Sequence, residues 1–110
     1  MTNAVLFVSN DEIRGFEIKD HAGYADYGQD IVCAAISALS QTAVMGLQEV
    51  VGIECRVEIR DAYLACRLSQ NASAEIWQQS QVILQTLAKG LKAIAAEYPD
   101  YLSVREVQSL

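Results

Sequence analysis

A single histidine, His21, stands in 110 residues, so a metal site built from several imidazoles is excluded. The three cysteines are an odd number without zinc-type spacing and make no disulfide framework. Positive charge is also scarce: eight Lys and Arg against fourteen Asp and Glu give a net charge of −6. Arg14, Lys19, Arg56, Arg60, Arg67, Lys89, Lys92 and Arg105 never cluster along the chain. Affinity for phosphate backbones rests on concentrated positive charge, so direct nucleic-acid binding is not expected. No run approaches the ~20 apolar residues of a membrane span. Met1 to Val8 lacks a basic start and its apolar stretch is too short for a signal peptide, so neither membrane nor export is implied and a cytoplasmic protein is expected. One Pro, six Gly and 52% apolar residues exclude disorder and collagen-like repeats.

What is present fits one domain, residues 1–110, of ordinary size. Ala4 to Val8 reads as a short buried strand. Ser9-Asn10-Asp11-Glu12 reads as a turn, and Ile13 to Asp20 as a half-buried strand that closes a hairpin. Ala22 to Gln29, with Gly23 and Gly28, has no period and reads as a loop. Asp30 is a good N-cap for a helix with the stripe Val32, Ala35, Ile36, Leu39, Ala43, Leu47, Val50. Gly52 can end that helix in the left-handed conformation.

Ile53 to Ile59 and Ala62 to Leu68 both alternate. A turn at Arg60-Asp61 pairs Cys55 with Cys66, and a turn at Asp61-Ala62 pairs Val57 with Cys66. Both registers keep apolar residues facing each other, and the sequence is compatible with either. Ser73 caps a second helix that carries Ile76, Ile83, Leu84, Leu87, Leu91, Ile94 and Tyr98, and Pro99 stops it. Tyr101 to Val107 reads as a last strand. The predicted class is α/β, in the order β-β-α-β-β-α-β, a mixed sheet with two helices on one face. The uncovered sheet face would be exposed or would seek a partner, which suggests a homodimer.

Chemistry concentrates at the loop. With Asp30 as N-cap, Cys33 takes the third helical position, where backbone N–H groups and the helix dipole stabilise a thiolate. Against this stands the reading of Cys33 as a small buried hydrophobe among Ile31, Val32, Ala34 and Ala35. His21 lies where the second strand gives way to the loop. That loop must return the chain to the helix start, so an imidazole and a thiol are brought near each other. A base beside a thiol yields the thiolate–imidazolium pair of cysteine proteases.

The stretch His21-Ala22-Gly23-Tyr24-Ala25-Asp26-Tyr27-Gly28-Gln29-Asp30-Ile31-Val32-Cys33-Ala34-Ala35-Ile36-Ser37 resembles the signature of the ribosomal-processing cysteine protease family, Prp. The likeness extends through Leu39, Thr42 and Ala43 and reappears at Tyr63-Leu64 and at Tyr98-Pro99-Asp100-Tyr101. It implies a small α/β fold, a homodimer, a nucleophile at Cys33 and a base at His21. It implies removal of a short N-terminal extension from a large-subunit ribosomal protein precursor, with no metal or organic cofactor. Two positions depart from the pattern: Asp20 stands where the family usually has Gly before the histidine, and Ala62 where relatives often have Gly in the hairpin turn. An inward-facing Asp20 would favour imidazolium.

Around the dyad, Asp30 is a cap first and a tuning group for His21 or Cys33 second. The backbone N–H groups near Cys33 and Ala34 are candidate oxyanion donors, and Ser37, one turn on, is a candidate for the site. Tyr24 and Tyr27 either line a peptide groove or pack the loop, and Gly23 and Gly28 flank the part expected to move. Cys55 and Cys66 read as core. Trp77 covers a core edge or meets a partner. The competing function is a non-enzymatic ribosome-assembly or protein-binding module, and no resolving cysteine lies near Cys33 in sequence to favour redox chemistry.

Overall fold

The computed structural model describes every residue except Tyr27 and Leu110. Five strands and two helices follow in the expected order: β1 (Thr2–Ser9), β2 (Glu12–Lys19), α1 (Ile31–Met45), β3 (Cys55–Arg60), β4 (Tyr63–Leu68), α2 (Ala74–Glu97) and β5 (Leu102–Gln108). The sheet runs β3-β4-β2-β1-β5. β5 is parallel to β1, and the other neighbours are antiparallel. One continuous core joins Ala4, Leu6, Phe16, Ile18, Leu64 and Cys66 of the sheet to Val32, Ile36, Leu47, Leu84 and Leu91 of the helical layer.

Local chemistry explains the turns. Asn10 and Asp11 carry φ of 53° and 64°, the left-handed angles that a two-residue hairpin needs and that Asn and Asp tolerate. The register slips between Phe7 and Val8, which face Gly15 and Ile13, so Arg14 is the extra residue of a bulge. Gln81 of α2 clamps this irregularity: its side chain accepts from the Ile13 N–H at 2.8 Å and donates to the Ile13 carbonyl at 2.7 Å. Trp77 covers the same core edge and donates its indole N–H to Glu12 at 3.0 Å. Gly15 allows β2 and β4 to meet, since a Cβ there would collide with the Cys66 carbonyl oxygen.

The β3–β4 hairpin takes the second of the two registers, with Val57 opposite Cys66 and the turn at Asp61-Ala62. This register sets Arg60 opposite Tyr63 and lays its guanidinium 4.1 Å from the ring centroid. Ala62 takes the left-handed angle of the turn, φ 53°.

Helix α1 departs from the expected stripe. After Met45 the chain widens into a π turn, Gly46–Val51, closed by the N–H of Gly52 on the Leu47 carbonyl at 2.9 Å. Gly52 then ends it at φ 83°. The buried positions of the α-helical part are Val32, Ile36, Ser40, Ala43 and Val44, joined by Leu47 in the π turn. The wider turn leaves Val50 exposed, and Ala35 also faces outward. The absence of any membrane-span-like run needs correction as well. Ile31–Val51 has the length and apolarity of a span, with mean hydropathy 1.5. In the fold its buried residues pack on the sheet.

Strand register decides which side chains share the uncovered face. Lys19, Arg56, Arg60, Arg67 and Arg105 all lie there, with Glu17 and Glu58 among them. Basic residues scattered in sequence are thus gathered by the fold. The uncovered face of the sheet is thus largely charged, with Arg67 stacked 3.9 Å from the Phe7 ring centroid. A largely apolar groove on the helical layer is lined by Ala38, Leu39, Thr42, Val82 and Ile83.

Candidate active site

The end of β2 and the start of α1 meet as the loop length requires. The Sγ of Cys33 lies 4.0 Å from Nδ1 of His21. Cys33 is half-buried, while the imidazole is about half exposed at 50%. Two clefts meet at this pair. One is lined by Thr2, Asp20, Ile59 and Asp61, the other by Gly23, Ala25, Asp26 and Gly28. His21, Cys33 and Ser37 belong to both, so the sulfur is reached from two sides.

Asp30 caps the helix and does more. One carboxylate oxygen accepts from the Cys33 N–H at 2.9 Å and the other from the Tyr24 N–H at 3.0 Å. Desolvation pushes its pKa up, but hydrogen bonds from the N–H groups of Cys33, Tyr24, Ala25 and Val32 together outweigh it and hold the carboxyl below its ordinary value. Its two oxygens are aimed at backbone N–H groups, so Asp30 acts as cap and loop anchor rather than as the orienting partner of His21.

The N–H groups near Cys33 and Ala34 carry bonds in this arrangement. The Cys33 N–H is given to Asp30 Oδ1, and the Ala34 N–H is given to the Asp30 carbonyl at 3.0 Å as the first helical bond. Ser37, one turn beyond Cys33, lines both clefts.

The loop is better tied than its composition suggests. Ala22 is buried, at 1% exposure. Tyr24 packs edge-on against Tyr98 and Tyr101, with ring centroids 5.7 and 5.2 Å apart. Of the two readings for Tyr24, loop packing is the one adopted. Tyr27 lies outside the described residues. Gly23 and Gly28 hold φ of 77° and 86°, angles that a side chain would strain.

Asp20 lines the same cleft as His21. Its backbone is the working part: its carbonyl accepts from the Thr2 hydroxyl at 2.8 Å, and its N–H donates to the Ala62 carbonyl at 2.9 Å. The carboxylate near the ring comes from the hairpin turn, with Asp61 Oδ1 3.9 Å from His21 Nε2. In the sequence Asp61 reads only as a turn residue. Nothing in its spacing signals that the hairpin tip folds over the end of β2.

Cys55 and Cys66 lie on neighbouring strands and share a thiol hydrogen bond. Donation to Cys55, then burial, pushes the Cys66 thiol up, and the same bond draws Cys55 down. Cys66 is buried and belongs to the core, as expected.

Comparison with known proteins places this geometry. The sequence model of the family described as "Cysteine protease Prp" matches residues 1–103. A Bacillus subtilis (strain 168) protein named ribosomal processing cysteine protease Prp is 30% identical over 107 residues, covering 94% of this chain and 96% of its own. The fold matches an S. aureus ribosomal processing protease Prp with a covalently linked product peptide, at TM-score 0.88 and 23% identity over 97% of this chain and 100% of that one. It also matches the S. aureus protease with a substrate peptide, at TM-score 0.82 and 22% identity over 97% and 100% of the two chains. SMU.848 from Streptococcus mutans matches at TM-score 0.79 and 22% identity over 99% and 96%.

Proposed function

The chain belongs to the Prp cysteine protease family, and from that premise we propose that Cys33 is its nucleophile and His21 its base. The observation that carries this reading is the 4.0 Å approach of Sγ to Nδ1 at the junction of two clefts. His21 takes the Cys33 proton, and the thiolate attacks the scissile carbonyl carbon. The tetrahedral intermediate collapses with loss of the amine, which receives the proton from His21. Water then adds to the thioester with His21 as base, and the carboxylate product leaves as Cys33 is regenerated. We assign Ser37 to the substrate carbonyl, because it flanks Cys33 in both clefts while the Cys33 and Ala34 N–H groups serve the cap.

The substrate we propose is a large-subunit ribosomal protein precursor that loses a short N-terminal extension in the cytoplasm. Support comes from the ribosomal-processing name of the B. subtilis relative and from the substrate and product peptides in the S. aureus complexes. No nucleic acid and no cofactor enters the reaction. We also propose a homodimer that uses the apolar groove between α1 and α2 rather than the charged sheet face. Incubating the protein with the precursor and weighing the products by mass spectrometry tests the activity. A precursor left at full mass by the wild-type protein would overturn the protease reading in favour of a binding module.

A further inference from the structure

We propose that Asp61, in the turn between β3 and β4, is a positioning residue for His21. The proposal rests on the protease reading above. The imidazole lies between two groups: Nδ1 faces the Cys33 sulfur at 4.0 Å, and Nε2 faces the Asp61 carboxylate at 3.9 Å. A carboxylate on that side favours the tautomer with its proton on Nε2, which leaves the Nδ1 lone pair toward the thiol. It also stabilises the imidazolium that forms when the thiol proton is taken.

The backbone shows why Asp61 sits there. Asp20 immediately precedes His21, Ala62 immediately follows Asp61, and the Asp20 N–H donates to the Ala62 carbonyl at 2.9 Å. One hydrogen bond therefore sets the hairpin tip against the end of β2, with imidazole and carboxylate one residue to either side. The Thr2 hydroxyl, bonded to the Asp20 carbonyl at 2.8 Å, fixes the same block from β1.

Other charged and titratable groups surround the ring. Cys33 faces it from α1. Asp20 precedes it, and Asp26 and Asp30 come from the loop, with Asp30 turned to backbone N–H groups. Arg60 and Tyr63 share the hairpin side of the cleft. The Arg60 guanidinium is engaged by Tyr63, 4.1 Å from its ring centroid, and by Glu58 at 3.1 Å. Asp61 is thus a carboxylate placed at ion-pair distance from Nε2 by a defined backbone contact. At 93% side-chain exposure its influence is that of a surface pair, so the effect is modest and sensitive to salt.

The test uses the fact that His21 is the only histidine, so its ring resonances need no assignment by mutation. In Asp61→Asn, a residue equally suited to a turn, the ring nitrogen NMR shifts of His21 move away from the Nε2–H tautomer. kcat for precursor cleavage falls about two- to fivefold with KM kept. Asp61→Glu restores both, and the difference from wild type closes at high salt. A purely structural role for the turn would lower stability without moving the His21 tautomer balance. An unchanged tautomer balance in Asp61→Asn overturns the proposal whatever the cleavage data show. Failure of the protease reading is distinguishable, because wild-type protein and variant would then both leave the precursor uncut.

Discussion

The N–H of Asp20 donates to the carbonyl of Ala62 at 2.9 Å, and both residues hold left-handed backbone angles, φ 72° and 53°. These are the two positions where the resemblance to the family implies glycine. Glycine enters the left-handed region without the clash between Cβ and carbonyl that other residues suffer. Asp tolerates the region better than Ala does. We expect Ala62→Gly to stabilise the fold by about 0.5–1 kcal/mol, as relief of strain exceeds the entropy glycine gains on unfolding. Asp20→Gly should lie closer to neutral. Urea midpoints of the two variants check this, and a destabilised Ala62→Gly would show that the turn carries no strain.

Cys33→Ser should abolish precursor cleavage while the unfolding midpoint stays near wild type, because an alcohol is a far weaker nucleophile than a thiolate. His21→Ala should lose nearly as much, since no second histidine exists to act as base. Alkylation mapped by peptide mass should find Cys33 modified first, since it borders two clefts beside His21. Cys66 should stay unmodified. The hydrogen bond that draws Cys55 down makes it the competing thiol, so the map must separate the two sites. Modification confined to Cys55 would remove Cys33 from the mechanism.

The Asp30 cap predicts a pH dependence. Its carboxyl is held below its unfolded value, so its contribution is complete above the unfolded pKa and is lost as pH falls through the lower folded one. Asp30→Ala should cost about 1 kcal/mol at neutral pH, the usual worth of an N-cap. The gap from wild type should narrow in acid, and Asp30→Asn, which still accepts a hydrogen bond, should lose less. Denaturation at pH 7 and pH 3 measures both, and a gap independent of pH would mean that the carboxylate charge is irrelevant.

Tyr24→Ala should release the loop from Tyr98 and Tyr101. Edge-on aromatic pairs are worth about 0.5–1.5 kcal/mol each, so the loss is local. Hydrogen exchange across residues 22–29 should quicken and turnover should fall, while the amides of β1 and β2 keep their protection. Unaltered exchange in the loop would show that Ala22 and the Asp30 bond hold it without the aromatic contact.

Much of the fold was legible because its periodicities are local. Alternation at Ile13 to Lys19 and at Cys55 to Ile59, the caps Asp30 and Ser73, and the stops Gly52 and Pro99 each act within a few residues, where backbone geometry and side-chain chemistry suffice. The approach of His21 to Cys33 was also within reach, since a short loop leaves its two ends little room to separate. Tertiary structure alone decided what depends on contacts between distant segments. The hairpin register was open because both choices buried the same apolar residues. The π turn rotated Val50 outward despite its place in the stripe. The basic side chains came to share one face only when the five strands were laid side by side. Asp61 faces His21 because a backbone hydrogen bond joins residues 42 positions apart, and no local pattern records a partner that far along the chain.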